Sequence, residues 1–180
     1  MGKSKSRTAK TTTHDHHVFT IRPARLEDFE EIYDIFCDVL DEGMTYSYTR
    51  AEMTPERSLA YWLSAPGTHG FVVDVEGKVA GMAAIRPNRT GRGGHVANAS
   101  VIVHAAYRGR GIARALGQHV LKTAKKQGYK AMQYNFVVST NTAAVALWKS
   151  LGMEVVGTLP KGFQHAKLGF VDVFIMHRML

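Results

Sequence analysis

Val101-Ile102-Val103-His104-Ala105-Ala106-Tyr107-Arg108-Gly109-Arg110-Gly111-Ile112-Ala113 is the stretch on which the fold turns. A β-branched run reads as a strand, a short turn follows, and a helix opens on a hexapeptide that carries two glycines. The first turn of any helix leaves about four backbone N–H groups without partners. Glycines let a ligand approach those groups closely, and the helix dipole adds partial positive charge. Arg108 and Arg110 set full charges beside them, so a diphosphate is the natural guest. A Walker A loop needs Lys followed by Ser or Thr after its second glycine, and neither is present. A dinucleotide fingerprint needs a third glycine where Arg114 stands. On these residues alone, a glycine-rich turn that merely starts a helix stays open.

The rest of the chain alternates between strand and helix patterns. Val18 to Arg22 alternates as a strand and stops at Pro23, and Leu26, Phe29, Ile32, Tyr33, Phe36 and Leu40 then recur at helical spacing up to Gly43. Thr54-Pro55-Glu56 starts a second helix, with Thr as N-cap and Pro in the first turn. Phe71–Val75 and Val79–Ile85 form a hairpin around Glu76-Gly77-Lys78, and a long strand from about His95 to His104 follows the loop after Pro87. A helix from about Gly109 to Gln127 leads to a strand over Ala131–Val138 and a helix over Asn141–Leu151. Two strands close the chain, about Met153–Thr158 and Val171–His177, with a loop between them. The order predicts an α/β (α+β) domain over residues 18–180, with a mixed, mostly antiparallel sheet and a central β-α-β crossover.

The length of 180 residues suits one core, and no apolar run approaches the roughly 20 residues of a membrane span. The net charge of +8 asks for an anionic partner, and residues 1–17 supply +3 of it. That tail has almost no apolar residues and is predicted to be disordered and silent. Met1–Ser6 fits a myristoylation pattern, the lack of acidic residues suits a transit peptide, and His14, His16 and His17 suit loose metal binding, but each signal is weak. No stable membrane association and no fixed metal site are expected. No element carries a dense basic face with interleaved aromatics, so nucleic acid is not expected as a partner. Cys37 is the only cysteine and lies in an apolar helical stretch, so a buried thiol in a reducing, cytoplasmic setting is expected.

Arg108-Gly109-Arg110-Gly111-Ile112-Ala113 resembles the Gln/Arg-x-x-Gly-x-Gly/Ala signature of the GCN5-related N-acetyltransferase (GNAT) family. A second stretch, Asn141 to Met153, resembles that family's Asn-x-x-Ala-x-x-Leu-Tyr-x-x-x-Gly-Phe pattern at the expected distance. The resemblance covers all but the tail. It implies acetyl-CoA lying in a splayed gap between the strands that end near His104 and Val138. Backbone groups of Ile102 and Val103 would pair with the pantetheine arm, Gly109 to Ala113 would hold the pyrophosphate, and Asn141 would hydrogen-bond the cofactor. It further implies a homodimer and direct attack of an amine on the thioester, without a metal.

The chain departs from the family in two places. No acidic residue stands from Val96 to Val103, where many relatives place a Glu base, and Trp148 occupies the position of the usual Tyr acid. Two asparagines stand out instead, Asn98 and Asn135, on neighbouring strands. Asn is a poor strand former, and a carboxamide is costly in an apolar strand unless it is bonded. A substrate-recognition pair is the functional reading, and repair of a local bulge is the structural one. Pro87-Asn88, His95–Ser100, Asn135–Asn141 and Val171-Asp172 resemble the fungal proline-analogue acetyltransferases, which implies roles for Asn98 and Asn135 in binding and turnover of a small amine such as a cyclic imino acid. Asp172 could meet that amine or cap a turn, and Arg86 and Asn88 could line the substrate mouth. A protein or lysine acceptor, and an acetyl-CoA sensor without turnover, are the alternatives.

Overall fold

The computed structural model describes residues 9–11 and 19–180. Among these, eight strands form one sheet: β1 (Ala9–Thr11), β2 (Phe19–Pro23), β3 (His69–Val75), β4 (Lys78–Pro87), β5 (Val96–Val103), β6 (Ala131–Val138), β7 (Glu154–His165) and β8 (Gly169–Met179). Their spatial order is β1-β2-β3-β4-β5-β6-β8-β7. Every neighbouring pair is antiparallel except β5 and β6, which are parallel. The helices are α1 (Phe29–Glu42), α2 (Pro55–Leu59), α3 (Ile112–Lys126) and α4 (Thr142–Ser150). The mixed sheet with one β5-α3-β6 crossover is the architecture the element order predicts.

The alternation of each strand sends its side chains to two cores. On one face, Ile32, Phe36 and Leu40 of α1 pack with Trp62 on Val72, Met82, Ala84 and Ile102. On the other, Ile112, Leu116 and Val120 of α3 and Trp148 of α4 pack on Val73, Ala83, Ile85 and Ala97. Burying each such large side chain is worth about 1.5–3 kcal/mol. Gly117 lets α3 and α4 meet closely, since a Cβ there would lie 2.6 Å from Leu151 Cδ1 and 2.9 Å from Trp148 Cζ3. Cys37 is buried and free, as expected.

Three differences from the sequence reading have physical causes. Ala9–Thr11, inside the tail read as disordered, pairs with Phe19–Ile21, because the outer edge of β2 offers backbone groups to any extended segment. The tail histidines and Met1–Ser6 lie outside the described residues. The helix opened by Thr54, whose Oγ1 accepts from the Arg57 N–H, continues past Leu59 as a π-helical turn at Ala60–Ser64. The loop expected between the last two strands is instead hairpin, with the register jumping between Leu159 and Phe163. Pro160-Lys161-Gly162 reads as a break in sequence, yet it forms a bulge that the ladder absorbs.

No helix among the described residues is long and apolar enough to cross a membrane. No group of three or more metal-ligating side chains occurs among them either.

Candidate active site

The site begins where β5 and β6 part. They are in register only at Val96↔Ala131 and Ala97↔Met132. Beyond that point β6 bulges against β8, its register jumping from Tyr134↔Met176 to Val137↔Phe174, and so turns away from β5. On the other side of β5, the His104 N–H donates to Ala80 O at 3.0 Å and the Asn88 N–H donates to Val96 O at 2.8 Å. The even-numbered residues of β5 therefore spend their backbone groups on β4, with Ile102 opposite Met82. Ala99, Val101 and Val103 turn theirs to the gap. Of the two residues expected to face a ligand through their backbone, Val103 does so. Ile102 does not, because strand alternation points its N–H and C=O at β4.

Two cavities open from this gap. One, of about 460 Å³, runs past Met44, Val103, Arg108, Ala113 and Leu147 to the start of α3. The other, of about 260 Å³, is bounded by Tyr46, Tyr61, Arg86, Asn98, Tyr134 and Asn135. Thr45, Tyr46, Val101, Asn141 and Ala144 line both, so the two form one continuous site through the sheet.

At the far end of the first cavity the chain turns on Gly109 and Gly111, with φ of 79° and 76°. Both angles lie in the left-handed region that glycine enters without strain. The backbone N–H groups of Gly109 to Arg114 have no partner among the described residues, and Ala115 is the first to bond, to Gly111 O at 3.1 Å. A Cβ on Gly109 would meet nothing within 4 Å, so the approach is open. Six free donors at a helix start fit a diphosphate. Arg108 pairs with Glu42 at 2.9 Å across the mouth of the groove, and Arg110 lies 5.2 Å from the Tyr107 ring centre. An exposed ion pair of this kind is worth about 0–1 kcal/mol, so it holds Arg108 nearby without committing it. Asn141 caps α4, its Oδ1 accepting from the Ala144 N–H at 3.2 Å, which leaves Nδ2 for a ligand. His104 caps the following turn, accepting from the Ala106 N–H at 3.2 Å.

The second cavity gathers the two strand asparagines. Asn98 Nδ2 and Asn135 Nδ2 both donate to Asn88 Oδ1, at 3.3 and 2.6 Å. Gln133 Nε2 donates to Asn135 Oδ1 at 2.8 Å, so the carboxamides are bonded as burial demands. Asn135 also lies in the β6 bulge, so the recognition and bulge readings meet in one residue.

Beside this trio, Arg86 donates to Tyr61 O at 2.8 Å and to Ser100 Oγ at 3.3 Å, and its guanidinium carbon sits 4.1 Å over the Tyr61 ring. Tyr61 Oη and Ser100 Oγ are 2.6 Å apart. Burial, and then the neighbouring Tyr61, push the Tyr46 phenol well above its ordinary range. Sequence reasoning missed Tyr46, Tyr61 and Ser100. For Ser100 a signal existed, since it stands two residues after Asn98 and so shares its face.

Asp172 is not at the site. Its Oδ1 accepts from the Lys161 N–H at 2.9 Å, and it faces outward while Val173 beside it is buried. Lys161 holds a φ of 52° in the β7 bulge, and the carboxylate satisfies the amide freed there.

The acetyltransferase (GNAT) family model matches residues 29–153. The chain is 30% identical over 112 residues to the N-acetyltransferase aca1 of Schizosaccharomyces pombe, a match covering 62% of this chain and 54% of that one. It superposes on a GCN5-related N-acetyltransferase from Kribbella flavida with a TM-score of 0.86 and 42% identity, covering 90% of this chain and 98% of that one. It superposes on yncA, a putative acetyltransferase from Salmonella typhimurium solved with acetyl-CoA, with a TM-score of 0.80 and 26% identity, covering 90% and 94%. The chain spans about half the length of these curated relatives. It belongs to the GNAT family. The activity of that class is acetyl-CoA-dependent transfer of an acetyl group to an amine, and acetyl-CoA is the co-substrate.

Proposed function

We propose that the enzyme acetylates the nitrogen of a small amino or cyclic imino acid held in the cavity of Asn98, Asn135 and Arg86. The observation that carries this reading is the charge of the cavity. Arg86 lies in its wall beside the linked carboxamides of Asn88, Asn98, Asn135 and Gln133, and no Asp or Glu lines it. A guanidinium pairs well with the carboxylate of such an acceptor. A lysine peptide or polyamine would meet a cation and no counter-charge. The volume of about 260 Å³ admits a small acceptor with the acetyl group. The resemblance of these stretches to the fungal proline-analogue branch points to the same acceptor class.

Acetyl-CoA is assigned to the larger cavity, its pyrophosphate on the N–H groups of Gly109 to Ala113 with Arg108 and Arg110 beside it. The extended arm pairs with the free edge of β5 at Val101 and Val103, and Asn141 Nδ2 donates to it. An N–H on that edge also polarises the thioester carbonyl for attack by the amine. The mechanism assigned here is direct attack in a ternary complex. Val155, Val156 and Leu159 lie exposed on the edge strand β7, which supports the expected homodimer through that edge. The lone, buried Cys37 supports a reducing, cytoplasmic setting.

The deciding experiment follows thiol release from acetyl-CoA over a panel of proline analogues, ordinary amino acids, polyamines and a lysine peptide. Turnover confined to carboxylate-bearing amines is expected. Preferred turnover of the peptide or polyamine would overturn the assignment, and binding of acetyl-CoA with silence across the panel would favour a sensor.

A further inference from the structure

In the wall of the smaller cavity a buried hydroxyl has nothing to bond among the described residues. Tyr134 stands on β6 two residues beyond Met132, the last position in register with β5, and so at the point where the strands part. It is 5% exposed, and its Oη is buried without a hydrogen-bond partner among the described residues. Buried hydroxyls are seldom left so, and an orphan at a cavity wall marks a place where a ligand atom completes the bond. Tyr134 lines the same cavity as Asn98, Asn135 and Asn141. Its ring lies 4.8 Å from that of Trp148, which fixes its direction.

We propose that the Tyr134 hydroxyl is the proton donor to the sulfur that leaves when the acetyl group is transferred. The acceptor nitrogen forms the new C–N bond with its lone pair, and the C–S bond breaks with its electron pair going to sulfur. Sulfur takes the Tyr134 Oη proton. As it does so, the same phenol oxygen takes up the proton shed by the acylated nitrogen, relayed by solvent in the cavity, so no free phenolate is left in the buried site and the enzyme ends as it began. Burial raises this phenol, so it stays protonated at neutral pH and holds a proton to offer, which it releases only as another replaces it. Trp148 has only an indole N–H, which is not a useful acid. Of the other tyrosines in the cavity, Tyr61 already spends its hydroxyl on Ser100. Tyr48 lines the smaller cavity alone and is 37% exposed, whereas Tyr46 borders both cavities and is the competing donor.

The test is Tyr134→Phe, which removes only an oxygen that bonds no protein group and so leaves packing intact. Affinities for CoA and acetyl-CoA are measured by calorimetry at pH 8.5, where a free thiol is about half ionised. Loss of a charge-assisted bond to sulfur should weaken CoA roughly tenfold and leave acetyl-CoA within about twofold. With the best acceptor of the panel, kcat should fall about 100-fold while KM for acetyl-CoA holds. The binding arm needs no acceptor, so it stands even if the acceptor assignment fails. Equal weakening of both ligands would make Tyr134 a packing residue, and no change in either would remove it from the reaction. The same signature in Tyr46→Phe and not in Tyr134→Phe would move the donor to Tyr46. Each of these three results overturns the proposal.

Discussion

Asn135 Nδ2 lies 2.6 Å from Asn88 Oδ1, well inside the usual N–H···O distance, while Asn98 reaches the same oxygen at 3.3 Å. Asn88 is thus the joint that ties β5 to β6 across the start of the gap. Its own N–H on Val96 O holds it in place. Asn88→Ala should lower acetyl transfer about 10- to 100-fold and leave acetyl-CoA affinity within about twofold, because the two strand asparagines lose their common acceptor. Combined with Asn135→Ala, the losses should be far from additive. Steady-state kinetics on the single and double variants, with calorimetry for acetyl-CoA, checks both statements.

Arg86→Gln keeps a donor in the cavity wall and removes the charge. The KM of a carboxylate-bearing acceptor should rise roughly 10- to 100-fold, the weight of one charge-assisted hydrogen bond. An amine of the same shape without the carboxylate should bind no worse than to the wild type. Comparing the two acceptors on both proteins isolates the carboxylate contact.

Gly111→Ala forces a residue with a Cβ to hold a φ of 76° immediately before α3. The strain is about 1–2 kcal/mol, enough to lower Tm by several degrees and to loosen the cradle. Acetyl-CoA affinity should fall with it. Thermal melts with and without acetyl-CoA separate the two effects.

Arg22 grips Asp28 with both terminal nitrogens at 2.8 Å and Asp74 at 3.1 Å. The Arg22 hydrogen bonds hold the Asp28 carboxyl below its usual range, burial opposing them. A carboxyl depressed in the folded state stabilises above its unfolded value of about 3.9, and that stability is lost as pH falls through the folded value. Asp28→Asn should therefore cost about 1.5–3 kcal/mol at pH 7, and the gap to wild type should close below pH ~4. Urea denaturation at pH 7, 4 and 3 reads this directly.

The sequence is most informative where one residue type enforces one local geometry. Pro23, Gly43 and Gly77 set element ends, and the glycines at 109 and 111 mark the cradle because no other residue holds those angles easily. Asn98 and Asn135 stand out because carboxamides are rare in strands. Arg86 was legible as a residue of the substrate mouth, but its partners Tyr46, Tyr61 and Ser100 lie on separate segments, and neither tyrosine is unusual where it stands. Only the pairing of β4 with β5 and the packing of α1 and α2 bring them together. Asp172 misled because its partner, the Lys161 N–H, sits in a bulge that reads as a loop. Tyr134 was invisible as a site residue, since an orphan hydroxyl is a property of its surroundings and not of its sequence.

The parting of β5 and β6 also divides the sheet mechanically. Two residue pairs in register, with the Lys130 N–H on His95 O at 2.8 Å, are the direct backbone seam between the β1–β5 half and the β6–β8–β7 half. A ligand arm that fills the free edge of β5 takes the place of the missing strand pairs. Acetyl-CoA is then part of the cohesion of the fold as well as a substrate: the β6–β8–β7 half should exchange its amide hydrogens faster than β2–β5 in the free protein. Saturation should slow that exchange and raise Tm with ligand concentration, as mass action requires.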